Sequence, residues 1–248
     1  MRPRDSREQQ ADLLYREILA CGEDQARLRQ LVPEEIEELT LLTLVRRSVP
    51  VRFLELAAHH PVAVERPRIL AAIVLNPRAD RHLSLRLLPV LFWRDLADVT
   101  VALRVPGPVR VAAEALLKDK LPDMKTGERI ALGKVVSPAL LVLLLQDPDP
   151  RILLSCLQNP RLREEDLLRV LRLESVPVHL LEEVSRSPRW SENYAVRLGL
   201  VLQPRTPLAI ALSFLSGLSR ADLQRVAETR GLAPLLGIAA ERLFGARA

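Results

Sequence analysis

Apolar residues recur along this chain at the three-to-four-residue period of a helix, in short runs closed by proline. Leu83, Leu87, Leu88 and Leu91 fall on one stripe. Leu167, Leu168 and Leu171 fall on another, and Ile210, Phe214, Leu215 and Leu218 on a third. Two-residue alternation bounded by hairpin turns is absent, so strands are not expected. The runs predict helices over 33–46, 50–59 and 65–75, then 79–91, 93–103 and 108–119. They continue over 126–134, 137–146 and 149–158, over 163–173, 177–186 and 190–202, and over 206–217, 220–229 and 232–244. A further helix near 7–21 carries Arg7, Glu8, Gln9, Gln10, Asp12, Arg16 and Glu17, which suits an end that faces water.

The same pattern occurs twice. Shifted by 127 residues, Ser48–Leu117 falls on Ser175–Phe244 without a gap: Ser48-Val49-Pro50-Val51 meets Ser175-Val176-Pro177-Val178, and Ala112-Ala113-Glu114 meets Ala239-Ala240-Glu241. Within each half a shorter period appears. Pro33, Pro77, Pro122, Pro160 and Pro204 are each expected to open a helical stretch, at intervals of 44, 45, 38 and 44. Three share a lead-in, Leu75-Asn76-Pro77-Arg78, Gln158-Asn159-Pro160-Arg161 and Leu202-Gln203-Pro204-Arg205. Asn suits a left-handed turn or a helix cap, and Pro suits the first helical turn, where a missing N–H costs nothing. The acidic runs Glu34-Glu35, Glu37-Glu38 and Glu164-Glu165-Asp166 are expected in first helical turns, where carboxylates suit the dipole. Gly127 and Gly133 mark an expected irregular junction between the halves. The apolar run Leu140–Leu145 is expected to be covered nearly all round.

A period near 42 residues with two or three helices per unit resembles the armadillo/HEAT class of α-solenoids over roughly residues 33–244. The resemblance implies an all-α, right-handed solenoid of about five three-helix repeats with an N-terminal capping helix. It is read as a single domain, 1–248, with duplicated halves 1–121 and 128–248 and a junction near 122–127. It implies a superhelical surface whose third helices line a concave groove, and it implies no reaction.

Composition narrows the function classes. Of 36 basic residues only Lys118, Lys120, Lys125 and Lys134 are lysine, and the net charge is 36 − 31 = +5. The charge is evenly spread: residues 1–120 hold 19 basic and 17 acidic side chains, and the rest hold 17 and 14. A dedicated nucleic-acid arm would be lopsided. Cys21 and Cys156 lie in apolar helical patterns and read as buried hydrophobes without a C-x-x-C pair. The N-terminus lacks an apolar leader, and the longest apolar run, Ala139–Leu145, is far short of a membrane span. A cytoplasmic protein without membrane insertion is the expectation.

No nucleophile elbow, dinucleotide fingerprint or phosphate loop is present, and the spacing of His59, His60, His82 and His179 fits no metal site. No catalytic residue, cofactor or metal is therefore assigned. The binding candidates are Arg78, Arg161 and Arg205 after the recurring prolines, Arg110 and Arg151 on third helices, and Trp190, Asn193 and Arg197. Peptide-binding armadillo proteins use Trp and Asn from the third helix to clasp an extended peptide, and Trp190 with Asn193 resembles that once, at a spacing of three. Arg78 with Asp95, and Arg205 with Asp222, also read as ion pairs between neighbouring helices, and Trp190 also as a packing residue near a helix start. The expected function is a non-enzymatic scaffold or adaptor whose concave face holds another protein or peptide. The alternative is a nucleic-acid-binding HEAT-like protein of the DNA-repair glycosylase kind with a basic concave face. Trp93 and Asp95 resemble the catalytic Asp between aromatics of such enzymes, but Asp222 repeats Asp95 without an aromatic, which favours structure.

Overall fold

Proline and side-chain caps start most helices of this chain. The computed structural model describes residues 3–33 and 35–246, and the side chains of 3–8 are outside that description. Glu34 and the side chains of Arg7 and Glu8, named above, therefore lie outside it. The described residues form α-helices and short 3-10 turns, with no strand, and the helices pack on one another. No helix among them is long and apolar enough to cross a membrane.

The chain divides into two compact units, Met1–Asp123 and Met124–Ala248. The first contains α1 (Pro3–Cys21), α2 (Gln25–Leu31), α3 (Glu38–Val45), α4 (Val51–Ala58), α5 (Pro61–Glu65), α6 (Pro67–Val74), α7 (Arg81–Leu87), α8 (Trp93–Val101) and α9 (Gly107–Lys120). The second contains α10 (Thr126–Gly133), α11 (Pro138–Leu144), α12 (Pro150–Leu157), α13 (Glu164–Leu171), α14 (Val178–Arg186), α15 (Pro188–Ser191), α16 (Tyr194–Leu202), α17 (Leu208–Leu215), α18 (Arg220–Glu228) and α19 (Pro234–Ala246). Asp24, Asp80, Asp149, Asn193 and Ser219 cap α2, α7, α12, α16 and α18 through side-chain oxygens.

The core repeats with the sequence. Val49 and Val176, Leu54 and Leu181, Ile73 and Leu200, Leu88 and Leu215, Leu91 and Leu218, Leu96 and Leu223, and Ala113 and Ala240 are all buried, each pair separated by the same 127 residues. Equivalent helices in the two units therefore bury equivalent stripes. The last helices of the second unit close over Val201, Leu215, Leu223, Val226 and Leu236.

Several expectations change in detail. The recurring prolines do not open their helices: α7 begins at Arg81, four residues after Pro77, and α13 and α17 begin four after Pro160 and Pro204. Each such proline is the second residue of a turn instead. Ala79 N–H donates to Asn76 O (3.0 Å), Leu162 N–H to Asn159 O (3.2 Å) and Thr206 N–H to Gln203 O (3.0 Å). Nor is Asn left-handed here, because among the described residues only Gly22 and Gly231 have positive φ. Glu35 and Glu37 precede α3, so only Glu38 of that acidic run lies in its first turn. The 190–202 helix is two helices, because Asn193 Oδ1 accepts Val196 N–H (3.1 Å) and restarts the chain after α15. Gly127 and Gly133 lie in a regular helix, α10, and not in an irregular junction. A Cβ on Gly133 would stand 2.9 Å from Cys156 Sγ and closer still to Ser155 Oγ, so this glycine lets α10 and α12 approach. In α11, Val142 and Leu143 are half-buried and the flanking leucines are buried.

Candidate functional site

The repeated Asn/Gln-Pro-Arg step is a buried clamp. Asn76 donates from Nδ2 to Val45 O (2.6 Å) and Arg47 O (2.7 Å), and its Oδ1 accepts Arg78 N–H (2.9 Å). Asn159 donates to Gly133 O (2.9 Å) and Val136 O (3.4 Å) and accepts from Arg161 N–H (2.8 Å). Gln203, one methylene longer, donates to Leu171 O (2.6 Å) and Leu173 O (3.0 Å) and accepts from Arg205 N–H (3.1 Å). Each clamp ties the end of α6, α12 or α16 to the carbonyls that α3, α10 or α13 leaves unpaired at its own C-terminus. His60 is a relative of the device: Nε2 donates to Pro33 O (3.1 Å) and Nδ1 accepts Val62 N–H (3.3 Å).

Two of these clamps floor a cleft. In the first unit a cleft of about 460 Å³ lies between α6 and α8, against Asn76-Pro77. In the second a cleft of about 360 Å³ lies against Gln203-Pro204. They are the same cleft. Arg68, Ala71, Ala72, Leu75, Asn76, Pro77 and Asp98 of the one are 127 residues before Ala195, Leu198, Gly199, Leu202, Gln203, Pro204 and Arg225 of the other. Their chemistry has diverged. The first adds Arg46, Arg104 and Asp95 and is charged on both walls. The second adds Leu168, Leu171 and Arg172, giving an apolar wall with only arginine for charge.

The two repeat-related carboxylates, Asp95 and Asp222, have opposite environments. Asp222 Oδ2 accepts the Tyr194 hydroxyl and the Ser219 hydroxyl (2.7 Å), and Asp222 N–H donates to Ser219 Oγ (3.2 Å). The Tyr194 bond, then the Ser219 bond, hold it below the usual carboxylate range. At the equivalent places the first unit has Pro67 and Phe92, neither of which carries a hydroxyl. Among the described residues no hydrogen bond or ion pair reaches Asp95, which is half-buried. Burial first, and the like charge of Asp98 second, push its carboxyl above the usual range, while Arg94 opposes them. Asp95 also lines a second opening of about 390 Å³ with Phe92, Arg66, Arg68, Glu38 and Glu65.

None of the eight residues singled out from sequence lines either of the paired clefts. Trp190 is 4% exposed, with its indole N–H on Leu157 O (3.1 Å), so it packs and does not face a partner. Arg189 lies over its ring at 4.4 Å and donates to Leu157 O, Asn159 O and Leu162 O, closing the end of α12. Asn193 caps α16 and donates to Glu164 Oε2 (2.8 Å). Arg151 folds back on Asp149, its own helix cap, with two side-chain bonds (3.1 and 2.8 Å). Arg161 donates to Val135 O (3.3 Å). Arg110 and Arg197 are half-buried, Arg197 over the Tyr194 ring at 5.8 Å. Arg78 and Arg205 are exposed, and the expected pairs with Asp95 and Asp222 do not form: no ion pair joins them among the described residues, and the backbone turns at Pro77 and Pro204 leave both side chains in solvent. Cys156 is buried and Cys21 half-buried. Among the described residues no three His, Cys, Asp or Glu side chains converge to hold a metal ion.

The sequence signal that could have located the clefts is the clamp itself. An Asn or Gln before Pro at three corresponding places, Asn76, Asn159 and Gln203, was visible; that each reaches back to the C-terminal carbonyls of α3, α10 or α13 was not. No known protein family, no curated protein and no solved structure matches this chain.

Proposed function

We propose that this chain is a right-handed α-solenoid of the armadillo/HEAT kind, a single domain of about five three-helix repeats behind a capping helix, acting in the cytoplasm as a non-enzymatic scaffold for another polypeptide. The observation that carries the reading is the cleft built twice on one backbone plan with different side chains. Structural positions of a repeat are held in common, as the clamps and the buried leucines are. Positions that differ within a shared frame, such as Asp98 against Arg225, suit ligand side chains of different chemistry.

Photo-crosslinking tests it. A benzophenone amino acid is placed at Leu75, at its repeat equivalent Leu202, and at the exposed Val111 of α9 as a control. In the cells that make the protein, Leu75 and Leu202 are expected to label one and the same polypeptide and Val111 is not. Equal labelling from all three positions removes the reading. So does labelling of nucleic acid that weakens steeply as salt rises, the behaviour expected of the alternative, a nucleic-acid-binding solenoid using Arg172, Arg225 and their neighbours.

A further inference from the structure

The molecule contains its own control for Asp95. The same carboxylate, on the same turn of the same helix, occurs in both repeats. In one repeat two hydroxyls satisfy it; in the other a proline and a phenylalanine have taken their places. A structural carboxylate would keep its donors, since a half-buried charge without them is costly. The replacement is also specific in kind. Phe92 is 64% exposed, in a chain with only four phenylalanines, and it borders the same opening as Asp95. A bare carboxylate beside an open aromatic face is a receptor for a flat cation, which stacks on the ring and hydrogen-bonds the oxygens.

The surrounding charges leave room for one. Arg66 and Arg68 face the opening, but both are engaged by Glu38, Arg66 Nε at 3.3 Å from Oε2 and Arg68 Nη2 against Oε1. Arg94 lies over the Trp93 ring, 5.7 Å from its centroid, and its charge only partly offsets those of Asp95 and Asp98. Glu65 adds a carboxylate on the outer side, and Asp98 adds one a turn along α8. Arg46 and Arg104 stand in the neighbouring cleft, where the backbone carbonyls of a bound segment would meet them.

We propose that the opening of about 390 Å³ bordered by Phe92 and Asp95 in the first unit receives an arginine side chain of the partner polypeptide, its guanidinium stacked on Phe92 and paired with Asp95. The proposal rests on the scaffold reading above and names the chemistry of the segment held. Arginine is favoured over lysine because its planar fork matches a carboxylate and lies flat on a ring.

The test uses the full chain and N-acetyl-arginine amide, followed by chemical-shift titration, with N-acetyl-lysine amide and N-acetyl-glutamate amide alongside. The arginine probe is expected to bind saturably, the lysine probe more weakly and the glutamate probe not at all. Asp95→Asn is expected to weaken binding about tenfold to a hundredfold, the range for losing a hydrogen bond to a charged group. A second variant guards against simple misfolding. Pro67→Tyr with Phe92→Ser supplies the two hydroxyls that Asp222 has, so the protein stays folded, Asp95 gains internal partners and arginine binding is lost. No saturable arginine binding, equal binding by Asp95→Asn, or equal binding of the glutamate probe overturns the proposal. If crosslinks from Leu75 and Leu202 persist under any of those results, the arginine site falls and the scaffold reading stands. If the crosslinks are absent from the wild-type protein, the scaffold reading falls with it.

Discussion

At the scale of single residues, burial decides chemistry in this chain. Cys156 is fully enclosed against α10, and burial pushes its thiol up to about 12, with the Asp147 carboxylate adding to the effect and Ser155 opposing it. The sign for stability follows. Between the ordinary value of 9.0 and about 12 the folded chain keeps a proton that the unfolded chain releases. This residue's contribution is thus fully present below about pH 9 and declines as pH rises further. Cys156→Ser or Cys156→Ala is expected to flatten the alkaline limb of a urea-stability profile. In the native protein at pH 8 a thiol reagent should leave Cys156 unmodified, and denaturant should expose it. Sequence alone marked Cys156 as a buried hydrophobe. It could not choose between the binding and packing readings of Trp190, because an indole near a helix start packs or protrudes according to whether a carbonyl such as that of Leu157 lies within reach.

At the scale of elements, helices are joined by backbone carbonyls that a side chain collects. Asn159 shows what the joint is worth. Removing its amide leaves the carbonyls of Gly133 and Val136 and the N–H of Arg161 without partners in a buried place. Asn159→Ala is expected to cost roughly 2–3 kcal/mol in urea melts. Asn159→Asp keeps the shape and the acceptor but loses both donated bonds, so it should cost a similar amount; a near-neutral result would show that the turn at Pro160, and not the clamp, holds α12 to α10. Helix positions were largely legible, since a stripe of Leu and Val at helical spacing is a local property of the chain. The short helices α2, α5 and α15 were not, because five or so residues carry too little periodicity to register. The role of the prolines was misread for a related reason. Pro is equally at home at the first helical position and at the second position of a turn, and which one occurs depends on the residue the preceding Asn or Gln grips.

At the scale of the whole molecule, each unit has its own core. Leu88 in the first and its repeat equivalent Leu215 in the second are each 1% exposed. Leu88→Ala and Leu215→Ala are each expected to cost roughly 2–5 kcal/mol in urea melts, and the costs should add in the double variant, since each lies in the core of its own unit. A loss under about 0.5 kcal/mol for either, far below that range, would mean the stripe is not core. The clamp is missing where the units divide: Leu121 stands before Pro122 in the place that Asn76 and Asn159 occupy before Pro77 and Pro160. What the sequence determined by itself is the all-helical character, the duplicated plan and the buried positions, because each follows from spacing along the chain or from comparison of the chain with itself. What only the tertiary structure decided is which distant groups meet: the carbonyls that Asn76, Asn159 and Gln203 collect, the pair of clefts above two of them, and the contrast between a satisfied Asp222 and a bare Asp95. Those depend on side chains some thirty residues apart arriving at one place, and no local pattern of apolar and polar residues records that distance.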